Sequence, residues 1–235
     1  MTARIEISTL RDMELFRGLD AEALERVAGL LHQSRFSAGH YIMSAEQPGE
    51  VVYVIREGTV KVLLVQDDGS EVILSFLGAG DTVGEMSLLD SSGRSASVLT
   101  LEPTSALWMD RQAFFDCMRE LPALNFSLLR LLARRLRLAN ARIRVAASLD
   151  VAGRVAYQLL TFADQYGVAV PQGTRIPLRI TQSDLGDLVG ASRESVNKAL
   201  KPLKGGDGRS GAISVDARYR ITVHDRQALE RRALL

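Results

Sequence analysis

The chain has 235 residues, 46% hydrophobic and 24% charged, enough for one large or two modest domains with cores of their own, which excludes a short peptide or a disordered tail. One cysteine, Cys117, excludes an intrachain disulfide and any four-thiolate zinc or iron–sulfur site, as suits a reducing cytoplasm. Residues Met1 to Phe16 alternate polar and apolar side chains where a signal peptide needs an apolar run, and no stretch approaches the roughly 18 apolar residues of a membrane span. The expectation is a cytoplasmic protein with no membrane partner.

The net charge of +1 hides an asymmetry. Residues 1–120 carry 10 basic and 19 acidic side chains, residues 121–148 six arginines and no acid, and residues 151–235 13 basic and 8 acidic groups. Positive charge concentrated toward the back suggests a polyanion-binding C-terminal part, with solvated helix faces as the plainer alternative.

In chain order, Ala23, Leu24, Val27, Ala28, Leu30 and Leu31 at helical spacing follow an N-cap candidate, Asp20. Near Phe36 the pattern changes to short strands over Tyr41–Met43, Val51–Arg56, Thr59–Val65, Glu71–Leu77, Ala96–Leu101 and Ser105–Met109. Turn signals at Gly39, Pro48-Gly49, Gly58, Asp68-Gly69 and Gly78 to Gly80 separate them. Such a run predicts a β-roll or jelly-roll of about 75 residues. From Leu121 almost thirty residues lack glycine and carry Leu129, Leu132, Leu136, Ala139, Ile143 and Ala146 in steps of three and four. That spacing predicts a dimer seam paired with a second copy as a parallel coiled coil, or else a helix lying on its own barrel. Asp150 and Gly153 interrupt it, and a further helix is expected from about Val151 to Tyr166.

The remainder reads as a winged helix-turn-helix. Thr181-Gln182-Ser183-Asp184 has the capping-box form, Leu185, Leu188 and Val189 make a buried face, and Gly190 stops the helix. Ser192 caps a second helix that buries Val196, Ala199, Leu200 and Leu203 and leaves Arg193, Glu194, Asn197, Lys198 and Lys201 outside. Alternating Ile213 and Val215, then Ile221 and Val223, follow a glycine-rich connector, Gly205 to Gly211, and predict the wing. The whole is an α+β chain. Its candidate DNA contacts are Thr181, Ser192, Arg193, Glu194, Asn197, Lys198 and Lys201.

Between the roll strands, Gly84-Glu85-Met86-Ser87 and Gly93-Arg94-Ser95-Ala96 have the parts of a site for an anionic sugar. Gly84 lets backbone approach a ligand, and a short helix from about Glu85 offers free N–H groups to a phosphate. Arg94 can clamp phosphate oxygens and Ser95 can add a hydroxyl. Glu85 has the wrong charge for phosphate and is matched to a ribose hydroxyl; the plainer alternative pairs Glu85 with Arg94 across a loop.

These features resemble the cAMP receptor protein/FNR family of bacterial transcription regulators over nearly the whole chain. The resemblance rests on Gly84, Glu85, Arg94, Ser95 and Ala96, on the hinge pattern Leu149-Asp150-Val151-Ala152-Gly153-Arg154, and on Ala191-Ser192-Arg193-Glu194-Ser195-Val196-Asn197-Lys198-Ala199-Leu200. It implies a cyclic nucleotide-binding β-roll over 1–120, a dimerisation helix over 121–149 and a winged helix-turn-helix over 150–235. It adds Arg135 and Asn140 to a ligand set of Gly84, Glu85, Met86, Ser87, Arg94 and Ser95. Where cAMP-responsive relatives often carry threonine, this chain has Ala139, so cGMP, another small anion or activity without ligand stay open beside cAMP. The family further implies a homodimer on a palindrome of TGTGA-like half-sites, read by Arg193, Glu194 and Lys198, with RNA polymerase as a further partner.

Other branches fit less well. An oxygen-sensing cluster needs several cysteines, and His32, His40 and His224 are too scattered for a haem or cupin-like metal site. Gly205-Gly206-Asp207-Gly208 lacks the Gly-Lys-Ser/Thr of a phosphate loop. No metal and no enzymatic activity is expected. A signalling module that never touches DNA is the more remote alternative.

Overall fold

The structure is a computed structural model that describes residues 5–45, 47–90, 92–205 and 211–233. The described chain packs as two units, one formed by the chain up to Leu64 with Leu74–Arg137, the other by Val65–Ile73 with Leu138 onward.

The first unit opens with helix α1 (Ile7–Asp12), a 3-10 turn (Glu14–Phe16) and α2 (Ala21–Leu30), which Asp20 caps by accepting from Ala23 N at 2.9 Å. Eight strands follow: β1 (His32–Phe36), β2 (Tyr41–Met43), β3 (Val51–Glu57), β4 (Val60–Val65), β5 (Glu71–Leu77), β6 (Thr82–Val83), β7 (Ser97–Thr100) and β8 (Thr104–Asp110). They form two four-stranded sheets in the orders β1-β8-β3-β6 and β2-β7-β4-β5. Ile42, Met43, Ile55, Val60, Leu77, Val83, Val98 and Ala106 form one buried cluster of the roll. A second core joins β3 and β8 to the helices, with Val52, Val54, Leu107 and Met109 against Leu24, Val27, Phe114, Leu124 and Leu128. Cys117 is buried in this second core, and burial raises its thiol pKa.

β1 is a departure from the sequence reading, which starts the strands only after Phe36. His32–Phe36 carries no apolar alternation and is mostly half-buried or exposed, so only its pairing with β8, His32 opposite Trp108 to Phe36 opposite Thr104, makes it a strand.

Helix α4 (Arg111–Glu120) leads to α5 (Pro122–Ser148). In the second unit, α6 (Val151–Tyr166) packs against α7 (Gln182–Val189), α8 (Arg193–Lys204) and α9 (Arg226–Ala233). Val155, Ala156, Leu159 and Phe162 of α6 are buried, as are Leu185, Val196, Leu200 and Leu229. The wing strands β11 (Ile213–Val215) and β12 (Ile221–Val223) join β9 (Val168–Val170) and β10 (Gly173–Ile176) in a sheet of order β11-β12-β10-β9. The sequence reading found only the β11–β12 hairpin. Gly173 sits at φ +137, where a Cβ would lie 2.1 Å from Val223 O, so only glycine lets β10 run this close to β12. Of the connector Gly205 to Gly211, residues 206–210 lie outside the described residues.

Asp150 separates α5 from α6: its carboxylate accepts from Gly153 N at 2.8 Å and caps α6. Asp150→Ala should cost about 1 kcal/mol in urea unfolding, and Asp150→Ser should recover most of it.

Candidate functional site

The cradle begins where β6 ends. Gly84 adopts φ +88 and starts α3 (Glu85–Leu89); a Cβ there would lie 2.4 Å from Arg94 Nη1 and 2.9 Å from Val51 O, so the position demands glycine on two grounds. Arg94 is buried. Its Nη1 donates to Gly84 O at 3.0 Å and Ser87 Oγ at 2.9 Å, and its Nη2 donates to Val51 O at 2.7 Å. Three of the five guanidinium donors therefore hold the cradle's own walls. Burial lowers the Arg94 pKa, while Tyr53, Glu85 and Glu50 oppose that shift.

Glu85 is 1% exposed. It does not pair with Arg94: its Oε1 accepts from Arg135 Nη1, and Arg135 Nη2 donates to Thr82 O. Among the described residues, Glu85 Oε2 and Thr82 Oγ1 are buried without a hydrogen-bond partner. A buried carboxylate oxygen with no donor fits a ligand that brings a hydroxyl proton, as the ribose of a nucleotide does. Ser87 is buried, whereas Met86 and Ser95 are exposed. Sequence reasoning missed Thr82, Val51 and Gly49. A Cβ on Gly49 would lie 2.3 Å from Ser87 Oγ, so this glycine, read only as a turn signal, lets the chain close over α3.

α5 carries two apolar strips. Leu124, Leu128 and Leu131 are buried, and the first two belong to the helical core of the first unit. On the other strip Leu129, Leu136 and Ile143 are 61%, 62% and 71% exposed, and Ala139 and Ala146 are also exposed. Leu132 is the exception within the expected seam, half-buried against the helical core because the 3.6-residue period turns it toward the first strip. Phe126, 64% exposed three residues before Leu129, extends the strip and was missed. Asn140 is exposed and belongs to the second unit.

In the second unit, Thr181 and Asp184 complete the capping box of α7, Asp184 N donating to Thr181 Oγ1 at 3.1 Å and Thr181 N to Asp184 Oδ2 at 3.2 Å. Gly190, at φ +65, ends α7, and a Cβ on Gly186 would lie 2.5 Å from Ala191 O, which fixes how tightly the turn folds back. Ser192 caps α8 by accepting from Ser195 N at 3.1 Å. α8 buries Val196, Ala199, Leu200 and Leu203 and exposes Arg193, Glu194, Asn197, Lys198 and Lys201. Lys198 lies 3.3 Å from Glu194, an exposed pair one turn apart that is open to competition. Gln182 Nε2 donates to Asn197 Oδ1 at 3.4 Å. Two capped helices at a tight turn, with a polar and mostly basic outer face, form a unit suited to the major groove.

Among the described residues no helix is long and apolar enough to cross a membrane, and no cluster of three metal-ligating side chains occurs. Residues 33–120 match the family described as the cyclic nucleotide-binding domain, and residues 153–232 match the Crp-like helix-turn-helix domain. The chain is 35% identical over 219 residues to the CRP-like cAMP-activated global transcriptional regulator of Mycobacterium tuberculosis, spanning 93% of this chain and 96% of that one. It is 32% identical to the cyclic AMP receptor protein of Thermus thermophilus, over 83% of this chain and 87% of the relative. The crystal structure of the Thermus thermophilus catabolite activator protein aligns at TM-score 0.53 and 30% identity, covering 94% of this chain and 98% of that one. FixK2 of Bradyrhizobium japonicum shares the fold at TM-score 0.75 and 22% identity, over 87% and 98%.

A cyclic nucleotide-binding domain followed by a long helix and a Crp-like helix-turn-helix defines a nucleotide-responsive DNA-binding regulator. The chain belongs to the CRP/FNR family of bacterial transcription regulators.

The buried pair yields one test. Arg135→Leu leaves Glu85 buried and unpaired and should destabilise the protein by about 3 kcal/mol, the low end for a buried pair broken on one side, because Arg135 itself reaches solvent. Adding Glu85→Gln should recover much of the loss in urea unfolding.

Proposed function

We propose that the protein is a homodimeric, cAMP-responsive transcription regulator, not an enzyme, working in the cytoplasm. The division is a sensor over 1–120, a dimer helix over 121–149 and a DNA-reading domain over 150–235. The observation that carries the effector reading is the unpartnered Glu85 Oε2 in a cradle that also holds Arg94. The carboxylate accepts a ribose hydroxyl, while Gly84, Met86, Ser87, Arg94 and Ser95 provide amides, hydroxyls and guanidinium donors for the cyclic phosphate. Arg135 and Asn140 are the proposed contacts from α5. Since Arg135 already binds Glu85, a ligand that engages this carboxylate acts directly on an α5 side chain. The effector then shifts the dimer toward a state whose two α8 helices suit successive major grooves. The names of the relatives from Mycobacterium tuberculosis and Thermus thermophilus support cAMP as that effector.

Ala139 supports a second reading, in which cGMP, another small anion or no ligand at all sets the active state, because its methyl group cannot donate or accept where relatives often have a hydroxyl. Calorimetric titration with cAMP and with cGMP decides between them. For the primary reading, cAMP should bind more tightly than cGMP, and Arg94→Ala should weaken cAMP by about 10- to 150-fold, the equivalent of a charge-assisted bond of roughly 1.5–3 kcal/mol. An unchanged dissociation constant would remove the cradle from the account.

The DNA target is a palindrome of TGTGA-like half-sites, with Thr181, Ser192, Asn197 and Lys201 around the base-reading Arg193, Glu194 and Lys198, and RNA polymerase as the further partner. Arg193 can hold a guanine O6/N7 edge and Glu194 a cytosine amine. Arg193→Ala should cost about 1–3 kcal/mol on the matched duplex and much less on a scrambled one.

The proposed dimer uses Leu129, Leu136, Ala139, Ile143 and Ala146, with Leu132 shared with the core. Leu136→Asp combined with Ile143→Asp should give monomers in sedimentation while circular dichroism stays unchanged, because both positions are exposed within one chain. A persistent dimer would move the interface elsewhere.

A further inference from the structure

Arg134 and Arg135 are neighbours on α5, and their acceptors are neighbours on the chain they grip. Arg135 holds Thr82 O and Glu85, whereas Arg134 Nη2 donates to Glu14 Oε2 and lies 3.6 Å from Asp81 Oδ1. Asp81 is buried, and Glu14 and Arg134 are partly shielded, so solvent screens these charges less than those of a surface pair. No hydrogen bond or ion pair joins Glu14 or Arg134 to Glu85 or Arg94 among the described residues.

The chain that carries Asp81 is braced from two sides. Asp81 Oδ2 accepts from Gly78 N at 2.8 Å, Asp81 O accepts from Ile55 N at 2.8 Å, and Gly80 O accepts from Glu14 N at 3.3 Å. The turn Gly78–Asp81 therefore lies between β3 and the 3-10 turn near the N-terminus, and it runs directly into β6 and the Gly84-Glu85 start of the cradle. On α5, Ser127 Oγ donates to Arg17 O, about two helical turns before Arg134 meets Glu14. The N-terminal segment is a bracket that touches both α5 and the root of the cradle. Successive side chains leave a helix about 100° apart, so a single grip at Arg135 leaves α5 free to roll about that contact, whereas a second grip at this angle stops the roll.

We propose that Arg134 is a positioning residue for the nucleotide cradle: bridged to Glu14 and Asp81, it fixes the rotation of α5 that brings Arg135 to Glu85, and it makes the N-terminal segment a determinant of effector affinity. The proposal rests on the cyclic-nucleotide reading above and deepens it by two residues, Glu14 and Arg134, that meet no ligand. Their influence passes through Arg135, which is the α5 side chain bound to the ribose-accepting carboxylate.

The test is a double-mutant cycle on the full-length protein, read by calorimetric titration with cAMP. Arg134→Leu and Arg135→Leu should each weaken cAMP by roughly tenfold, and the double variant should bind no more weakly than Arg135→Leu alone, because the effect of Arg134 passes through Arg135. Arg134→Lys keeps a cation between the two acids and should return the affinity to within about threefold of wild type. Where circular dichroism shows that the double variant does not fold, Glu14→Gln replaces Arg134→Leu in the cycle, with a weakening of roughly threefold that vanishes in the Arg135→Leu background. Losses that multiply in the double variant, or wild-type affinity in both Arg134→Leu and Glu14→Gln, would overturn the positioning role alone. Unchanged affinity in Arg135→Leu, or wild-type protein that binds neither cAMP nor cGMP, would overturn the cradle reading with it.

Discussion

The Glu85 carboxylate is 1% exposed and is met by the Arg135 guanidinium, and the arrangement of the sensor follows from that pair. Removing an ion from water costs several kcal/mol, which a close counter-ion offsets when other hydrogen bonds complete the geometry. Here they do so on one side only. Arg135 ties Glu85 to Thr82 O, and Arg94 ties Gly84, Ser87 and Val51 together, so β3, β6, α3 and α5 meet in one polar network. Among the described residues the network leaves one carboxylate oxygen without a donor, so it is not a closed structural pair.

The same network joins α5 to the cradle. Arg135 and Leu136 are neighbours in sequence, the first turned to Glu85 and the second exposed on the outer strip. The two side chains leave α5 one residue apart, so the same turn of helix carries both the ion pair to the cradle and the exposed strip. Two apolar strips run along one helix: Leu124 and Leu128 lie in the core of the first unit, and Leu129, Leu136 and Ile143 are exposed.

Most of this architecture is legible in the sequence where a period or a cap carries it. The capping box at Thr181, the caps at Ser192 and Asp150, the steps of α5 and the β-branched runs between turn signals of β2 to β5, β7 and β8 all have local signatures, whereas the two-residue β6 has none. What is hidden depends on partners far along the chain. β1 is a strand because β8 is opposite it, β10 joins the wing by pairing with β12 and carries β9 on its other edge, and Arg94 donates to Val51 O, 43 residues away. Leu132 shows the limit of heptad reading, because a step of three or four cannot tell which of two adjacent strips a leucine joins. Tyr219, left-handed at φ +60 in the turn between β11 and β12, has no sequence signature at all, since nothing in Asp216-Ala217-Arg218-Tyr219-Arg220 announces which residue of the turn must carry the strain.

The single carboxylate of that turn also sets its tolerance to acid. Burial alone would raise the Asp216 pKa, but the amides of Arg220 and Arg218 and the guanidiniums of Arg175 and Arg220 hold it below the ordinary carboxylate value. A group whose folded pKa is depressed contributes stability that is fully present above its unfolded pKa, about 3.9 for aspartate, and is lost as pH falls through the folded value. The Asp216 contribution to the wing turn is therefore fully present at neutral pH and is lost only in acid below the ordinary aspartate range.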